Sequence, residues 1–352
     1  MSNPLVSIIE EDVRGIVDSV SMASLQGKSL LLTGASGLLG TYFLASLREL
    51  SRRGLAPSQV VAMVHSPLSA PTTLFSDFPE LKIVHGDLTA PGTLDHMGRF
   101  DFIIHAAGYG QPGKFMDNQV KTLALNTQTT LSLFEHLSEQ GHFLYLSSSE
   151  VYSGLGTPPY AENQIGSTNT NHPRSCYIEG KRCGEAICNA YRARGVTASS
   201  ARLALAYGPG TKPSDHRVLN AFIQRSLTTG RLTLQDSGAA MRTYCYVAEA
   251  VEILWHILLQ GKHAIYNVGG TSRTSIADLA KSIGRHIAVP VEFPQTEQAL
   301  GGAPDDVYLD MARVMQEFGK DTFIPLEAGL QRTIQWQTAL YGIPPHSMDS
   351  MQ

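Results

Sequence analysis

Lys28-Ser29-Leu30-Leu31-Leu32-Thr33-Gly34-Ala35-Ser36-Gly37-Leu38-Leu39-Gly40 is the stretch on which the fold turns. A short, unbroken apolar run suits a strand buried on both faces, and the glycines after it mark a turn from that strand into the helical segment 41–54. Glycine lets main chain approach a phosphate closely, and the amides at a helix N-terminus carry partial positive charge. Gly34, Gly37, Leu38, Leu39 and Gly40 are therefore expected to cradle the pyrophosphate of a dinucleotide.

Working outward, strand-like runs at 59–65, 81–87, 100–108 and 142–149 alternate with helical segments, including 120–141 and 177–195. Residues 197–210 read as one further strand ending in a Gly/Pro break, and 264–270 as one more strand of the same sheet. Apolar positions from Ile8 to Val20 recur at helical spacing, which predicts a helix docked ahead of the main fold. After Gly208 the pattern turns to mixed loops and helices. The predicted class is α/β: a Rossmann-type, doubly wound parallel sheet with a smaller, discontinuous C-terminal substrate-binding lobe. The expected boundaries are a helical extension over 1–26, a dinucleotide-binding domain over 27–207 rejoined by about 243–270, a lobe from 208–242 and 271–341, and a frayed tail over 342–352.

With 352 residues, 43% of them hydrophobic, the chain can bury a substantial core. Lys and Arg number 27 against 31 Asp and Glu, so no broad basic surface exists for a phosphate backbone, and nucleic acid is not expected as a main partner. Cys176, Cys183, Cys188 and Cys245 form no CxxC pair and read as thiols in a reducing, cytoplasmic setting. Glu10, Glu11 and Asp12 replace the basic start of a signal peptide, and no apolar run reaches the roughly 18 residues of a membrane span. No metal site is expected.

An acidic side chain ending the second strand would bond ribose hydroxyls, and a basic one would receive a 2′-phosphate. Met63-Val64-His65-Ser66 carries neither signal, so NAD is expected with NADP left open. Asp87, next to Leu88, is placed to accept from the adenine amino group. Ala106, Ala107 and Gly108 are small enough for main chain to pass near a cofactor, and Asn126 falls along the same path. Ser148 ends a strand, while Tyr177 and Lys181 share a helix face at i and i+4. The ammonium is expected to favour phenolate, so that Tyr177 takes a proton from an alcohol whose carbon gives hydride to a nicotinamide. Glu150, two residues past Ser148 in what reads as extended chain, is expected to face the sugar side with it.

From about Gly27 to Tyr341 the chain resembles the extended short-chain dehydrogenase/reductases of the nucleotide-sugar epimerase, dehydratase and decarboxylase group. Within that group it resembles the UDP-glucuronate decarboxylases. The likeness rests on Ser148-Ser149-Glu150-Val151-Tyr152, Pro173-Arg174-Ser175-Cys176-Tyr177-Ile178-Glu179-Gly180-Lys181-Arg182, Tyr207-Gly208-Pro209 and Asp215-His216-Arg217-Val218. It implies a redox triad of Ser148, Tyr177 and Lys181, with Glu150 also in a catalytic position beside the sugar. Ser149, Arg217 and Val218 would line the substrate site, and Arg242 would hold its pyrophosphate. The chain departs from the pattern at Leu205, where the family has Asn, and at 303–309, which lacks a late arginine. Ser149 replaces the acid of the related dTDP-glucose dehydratases.

The implied reaction on a nucleotide-sugar substrate is C4 oxidation by retained NAD, followed by decarboxylation of a UDP-hexuronate. C4 epimerisation is the alternative. A non-catalytic dinucleotide sensor or scaffold is a third reading, against which the intact Ser148, Tyr177 and Lys181 speak. A homodimer is expected through the helix after Asn118 and the one containing Tyr177, on an apolar stripe of Ile187, Ala190 and Tyr191.

Overall fold

The computed structural model describes residues 4–294 and 306–343. Its strands are β1 (Ser29–Thr33), β2 (Gln59–Val64), β3 (Leu81–His85), β4 (Phe100–His105), β5 (Leu137–Ser148) and β6 (Thr197–Leu203). They are followed by β7 (Leu205–Tyr207), β8 (Leu232–Thr233), β9 (Met241–Tyr246), β10 (Ile265–Val268), β11 (Ser272–Ser275) and β12 (Val291–Glu292). The helices are α1 (Pro4–Ser19), α2 (Leu38–Arg52), α3 (Ala70–Thr73), α4 (Pro112–Asp117), α5 (Gln119–Asn126) and α6 (Gln128–Glu135). After them come α7 (Ser175–Arg192), α8 (Val218–Thr229), α9 (Val247–Gln260), α10 (Ile276–Ile287), α11 (Ala312–Phe318) and α12 (Leu326–Leu340).

Seven strands form the main sheet in the order β10-β6-β5-β4-β1-β2-β3, every neighbouring pair parallel. The chain winds to one side through β2 and β3, then crosses back to β4 on the other side of β1. The crevice beyond the carboxyl ends of β1 and β4 is thus the topological switch point, where open α/β sheets bind ligands. Alternate residues of β1 serve opposite faces. Leu30 and Leu32 pack in the core with Phe43 of α2 and Trp255 of α9, whereas Leu31 packs with Phe134, Phe143 and Cys188 beneath α6 and α7. Helices therefore cover both faces, as continuous apolar strands require.

The expected leading helix is α1, which buries Ile9, Val13, Ile16 and Val17. Asp12 sits on that stripe and accepts hydrogen bonds from the hydroxyls of Tyr42 and Tyr246, each at 2.7 Å. Burial raises its carboxyl above the ordinary range even though both tyrosines and Arg332 pull it down. A second sheet, β11-β9-β7, and the pair β12-β8 lie with α8, α10 and α12 beyond the large sheet.

Three elements differ from expectation. Residues 197–210 are two strands in two sheets: the Ala204 amide bonds Val268 O, closing the large sheet, and β7 leaves to pair with β9. The segment 120–141 is not one helix. It breaks at Thr127, whose hydroxyl bonds Leu123 O, and its last residues enter β5, where Leu137 pairs with Phe100. The stripe expected at an interface is partly packed within the protomer: Tyr191 stacks on Phe134 at 3.9 Å and Ile187 packs in the same cluster, both half-buried, while Ala190 is exposed. All four cysteines are free, with only Cys183 exposed. Among the described residues no helix is long and apolar enough to cross a membrane, and no cluster of three metal-ligating side chains occurs. Ala303 to Asp305 of the departing segment, and 344–352 of the expected tail, lie outside the described residues.

Candidate active site

The switch-point crevice is built from the turn after β1. Gly34 has φ +71°, and a Cβ there would stand 2.5 Å from the carbonyl oxygen of Ala106. Only glycine meets both demands. Gly37, the N-cap of α2, is exposed and supplies no side-chain cap, which leaves the first-turn amides, those of Leu38 and Leu39 included, open to a ligand. Gly40 lets α2 begin against its own turn, because a Cβ there would lie 2.5 Å from Ala35 O. This uncapped, side-chain-free helix start fits a pyrophosphate.

Across the crevice, Ala106 and Ala107 are held by a buried chain of hydrogen bonds. The Ala107 amide donates to Thr33 Oγ1 at 3.1 Å, and Thr33 Oγ1 meets His105 Nδ1 at 2.9 Å. His105 Nε2 faces Leu125 O at 3.0 Å, so it carries the proton and Nδ1 accepts from Thr33. Burial drives His105 down to about 3 and keeps it neutral. A Cβ on Gly108 would meet Lys181 Nζ at 3.9 Å and nothing nearer, so this backbone borders the Tyr177–Lys181 helix face directly.

At the other end Asp87 accepts from Lys121 Nζ at 2.6 Å and from the Thr89 amide and hydroxyl. The Lys121 bond leads in holding its carboxyl well below the usual range. Lys121 also lies 3.3 Å from His65 Nε2. Sequence pattern did not single out Lys121, because its partner is distant along the chain. Leu88 is half-buried, and its carbonyl takes the Thr129 hydroxyl. Asn126 is buried, its amide donating to Thr122 O and accepting from Tyr145 OH, both at 2.7 Å. It braces α5 against α7, where a Cβ on Gly180 would touch it at 3.4 Å.

Ser148, Tyr177 and Lys181 come together. Ser148 ends β5 close enough to the Tyr177 hydroxyl to pull the phenol's ionisation down. One turn along α7, Lys181 Nζ donates to Leu146 O at 2.6 Å and lies 5.6 Å from the Tyr177 ring centre. Burial pushes Lys181 down to about 7. The spacing predicted a phenol lowered by the ammonium, but Tyr177 is raised. Its burial outweighs the pull of Ser148, and Lys181 points at a main-chain carbonyl.

Glu150 is not on extended chain. β5 stops at Ser148, and Ser149–Tyr152 is a 3-10 turn begun when Ser148 Oγ accepts the Glu150 amide at 3.2 Å. Ser149 is half-buried in that turn. Glu150 pairs there with Arg174, the N-cap of α7. Burial raises its carboxyl, against the pull of Arg174, Arg242 and His172. Arg174 was quoted only as part of a motif, and its pairing across 24 residues has no local signature. Arg217 clamps Asp215 with Nε at 3.0 Å and an η-nitrogen at 2.6 Å, next to exposed Val218 at the start of α8. Burial alone would raise Asp215, and the Arg217 bonds leave it lowered. Arg242 projects from β9, donates to Met241 O at 2.7 Å and acts on both Glu150 and Tyr244.

UDP-glucuronic acid decarboxylase 1 of Xenopus tropicalis is 28% identical over 314 residues, 88% of this chain and 72% of that protein. Among solved structures, the dTDP-glucose 4,6-dehydratase DesIV of Streptomyces venezuelae, with NAD and TYD bound, superposes with a TM-score of 0.78 at 22% identity, covering 89% of this chain and 98% of that one. MoeE5 in complex with UDP-glucuronic acid and NAD superposes at 0.71 and 22% identity, covering 88% and 98%. At such identities the structural likeness establishes the fold alone. Residues 30–269, most of the chain, match a single family, and the chain belongs to the NAD dependent epimerase/dehydratase family.

Proposed function

We propose that this chain is an NAD-dependent nucleotide-sugar enzyme that oxidises C4 of a UDP-hexuronate and then releases C6 as CO₂. The observation that carries the reading is the convergence of Ser148, Tyr177 and Lys181 beside the Gly108 backbone, across the crevice from the uncapped start of α2. Relatives named UDP-glucuronic acid decarboxylase support the decarboxylating outcome. The glycine turn, with Asp87, Leu88, Ala106, Ala107, Gly108 and Asn126, would line the dinucleotide path. NAD is supported by the neighbours that bind it.

A dinucleotide held along the glycine turn and the Ala106–Gly108 backbone would supply the hydride acceptor for C4 oxidation and the hydride donor for the closing reduction. Tyr177 takes the C4 hydroxyl proton, Ser148 orients that oxygen, and Lys181 sits against the backbone where the nicotinamide ribose would pass. A ketone at C4 is β to the C6 carboxylate, so the C5–C6 bond breaks with its electron pair delocalised onto the C4 oxygen; C5 then takes a proton, and hydride with the Tyr177 proton restores the C4 alcohol of a UDP-pentose. Glu150 lies at the sugar side, with Ser149, Arg217, Val218 and Arg242 around the substrate. A C4 epimerisation shares the first step, keeps the C5–C6 bond and returns hydride to the other face of C4. The protein is expected to act as a homodimer, now through the exposed Val120, Leu123 and Leu131 of α5 and α6.

Incubation with UDP-glucuronate and NAD, followed by CO₂ release and product NMR, tests the reading. A UDP-pentose supports it, a C4-inverted hexuronate establishes the epimerase, and no turnover overturns both for this substrate.

A further inference from the structure

Glu150 and Arg174 form an ion pair at the wall of the site that the proposed reaction leaves half-used. Oε2 of Glu150 and Nε of Arg174 are both shut away from solvent, and neither has a hydrogen-bond partner among the described residues. A pair retained purely for structure normally satisfies its remaining lone pairs and protons, as the buried Glu185–Arg202 pair does on the same helix. The Arg174 guanidinium is also fixed in place. It lies 5.6 Å over the Phe115 ring, and Phe115 stacks on Tyr177 at 4.5 Å. The fork is thereby mounted on the same aromatic stack as the phenol proposed to move the proton.

We propose that Arg174 is the residue that selects an anionic sugar: the C6 carboxylate of the substrate takes the guanidinium over from Glu150, which is released toward the sugar hydroxyls. The assignment rests on the UDP-hexuronate reading above. The exchange replaces one carboxylate by another on a planar fork, and the unpartnered Nε gains an acceptor; the displaced Glu150, whose burial already favours its neutral form, keeps the charge balanced by holding a proton among the sugar hydroxyls. A neutral hexose has nothing to offer the fork and leaves the resident pair closed. Arg217 is a poorer candidate, since its fork is already filled by Asp215 with close contacts to both carboxylate oxygens.

Calorimetric titration of the NAD-loaded protein with UDP-glucuronate, UDP-glucose and UDP tests the assignment, all proteins carrying Tyr177→Phe so that UDP-glucuronate binds without turning over, and wild type here meaning Arg174 and Glu150 unchanged. The wild type should bind UDP-glucuronate roughly ten- to a hundredfold more tightly than UDP-glucose, the range of a charge-assisted hydrogen bond. Arg174→Gln should erase that preference while its Kd for UDP-glucose and UDP stays within about threefold of wild type. Retained UDP binding also reports that the variant is folded. Glu150→Gln, which weakens the competitor for the fork, should widen the preference. Equal wild-type affinities, or a preference that survives Arg174→Gln, overturn the role of Arg174 alone. A wild type that binds none of the three overturns the UDP-sugar reading and this assignment with it.

Discussion

Changing Arg202 to methionine should destabilise the fold more than changing Glu185 to leucine, and making both changes should cost less than either. Glu185 is on α7, one turn beyond Lys181, and Arg202 is on β6; both side chains are almost wholly buried. Two N–H···O bonds join them, Nε to Oε1 at 2.9 Å and an η-nitrogen to Oε2 at 2.8 Å. Removing one partner of such a pair leaves a buried charge and costs about 3–5 kcal/mol. The two orphans are not equivalent. Arg202 left alone keeps the carbonyls of Glu162 and Gln164 at 3.2 and 2.8 Å and the Tyr152 ring at 4.8 Å. Glu185 left alone keeps only the Ser147 hydroxyl at 2.5 Å. Arg202→Met therefore belongs near the upper end of that range and Glu185→Leu near the lower.

Guanidinium unfolding followed by fluorescence of the buried Trp255 and Trp336 reads these changes. The double variant carries no orphan charge, and its coupling energy should be about 2 kcal/mol or more. Arg202→Met should also move the Lys181 titration upward from about 7, because an uncompensated carboxylate one turn away favours the ammonium. Single variants costing under about 1 kcal/mol, or a strictly additive double, would refute the reasoning, for the pair would then be solvated in solution.

Tyr177→Phe should keep NAD binding and the Phe115 stack while turnover drops about 10²–10⁴-fold, and a variant with more than a tenth of wild-type activity would contradict the proton-transfer role. Lys181, lowered by burial from 10.5 to about 7, is neutral in the fold but protonated in the unfolded chain between those values. Its contribution to stability therefore rises with pH across that window, by about 1.4 kcal/mol per unit. Wild type should gain on Lys181→Met between pH 7.5 and 9 in cofactor-free unfolding, and a flat difference would mean that the ammonium stays charged in the fold. Gly34→Ala should cost several kcal/mol, roughly 1–2 for the left-handed backbone and 1–3 for the clash with Ala106. Gly37→Ala, whose Cβ meets nothing nearer than 3.4 Å, should fold normally and lose dinucleotide affinity, which calorimetry with NAD would show.

What was legible in the sequence is what local geometry alone decides. Gly34 announces a turn because few residues but glycine take a left-handed φ, and Tyr177 and Lys181 announce a shared face because helical spacing fixes it. The failures are residues whose conformation is chosen by a particular partner, near or far along the chain, that periodicity does not announce. Val151 and Tyr152 are good strand formers, yet the chain turns there because the Ser148 hydroxyl captures the Glu150 amide. Tyr191 reads as surface stripe until Phe134, far along the chain, is laid against it. Arg174 went unread for a different reason: its mark appears only once the structure sets the start of α7 at Ser175 rather than Tyr177. It occupies the N-cap of α7, where Ser, Thr, Asp or Asn would cap the free amides and where the helix dipole disfavours a cation, and it makes no capping bond. A residue that stabilises neither its helix nor its cap is held there by another demand, and broken local rules gather at functional sites. The uncapped start of α7 thus agrees with the proposed anion-binding role of Arg174, and it takes the observed helix boundary to see it.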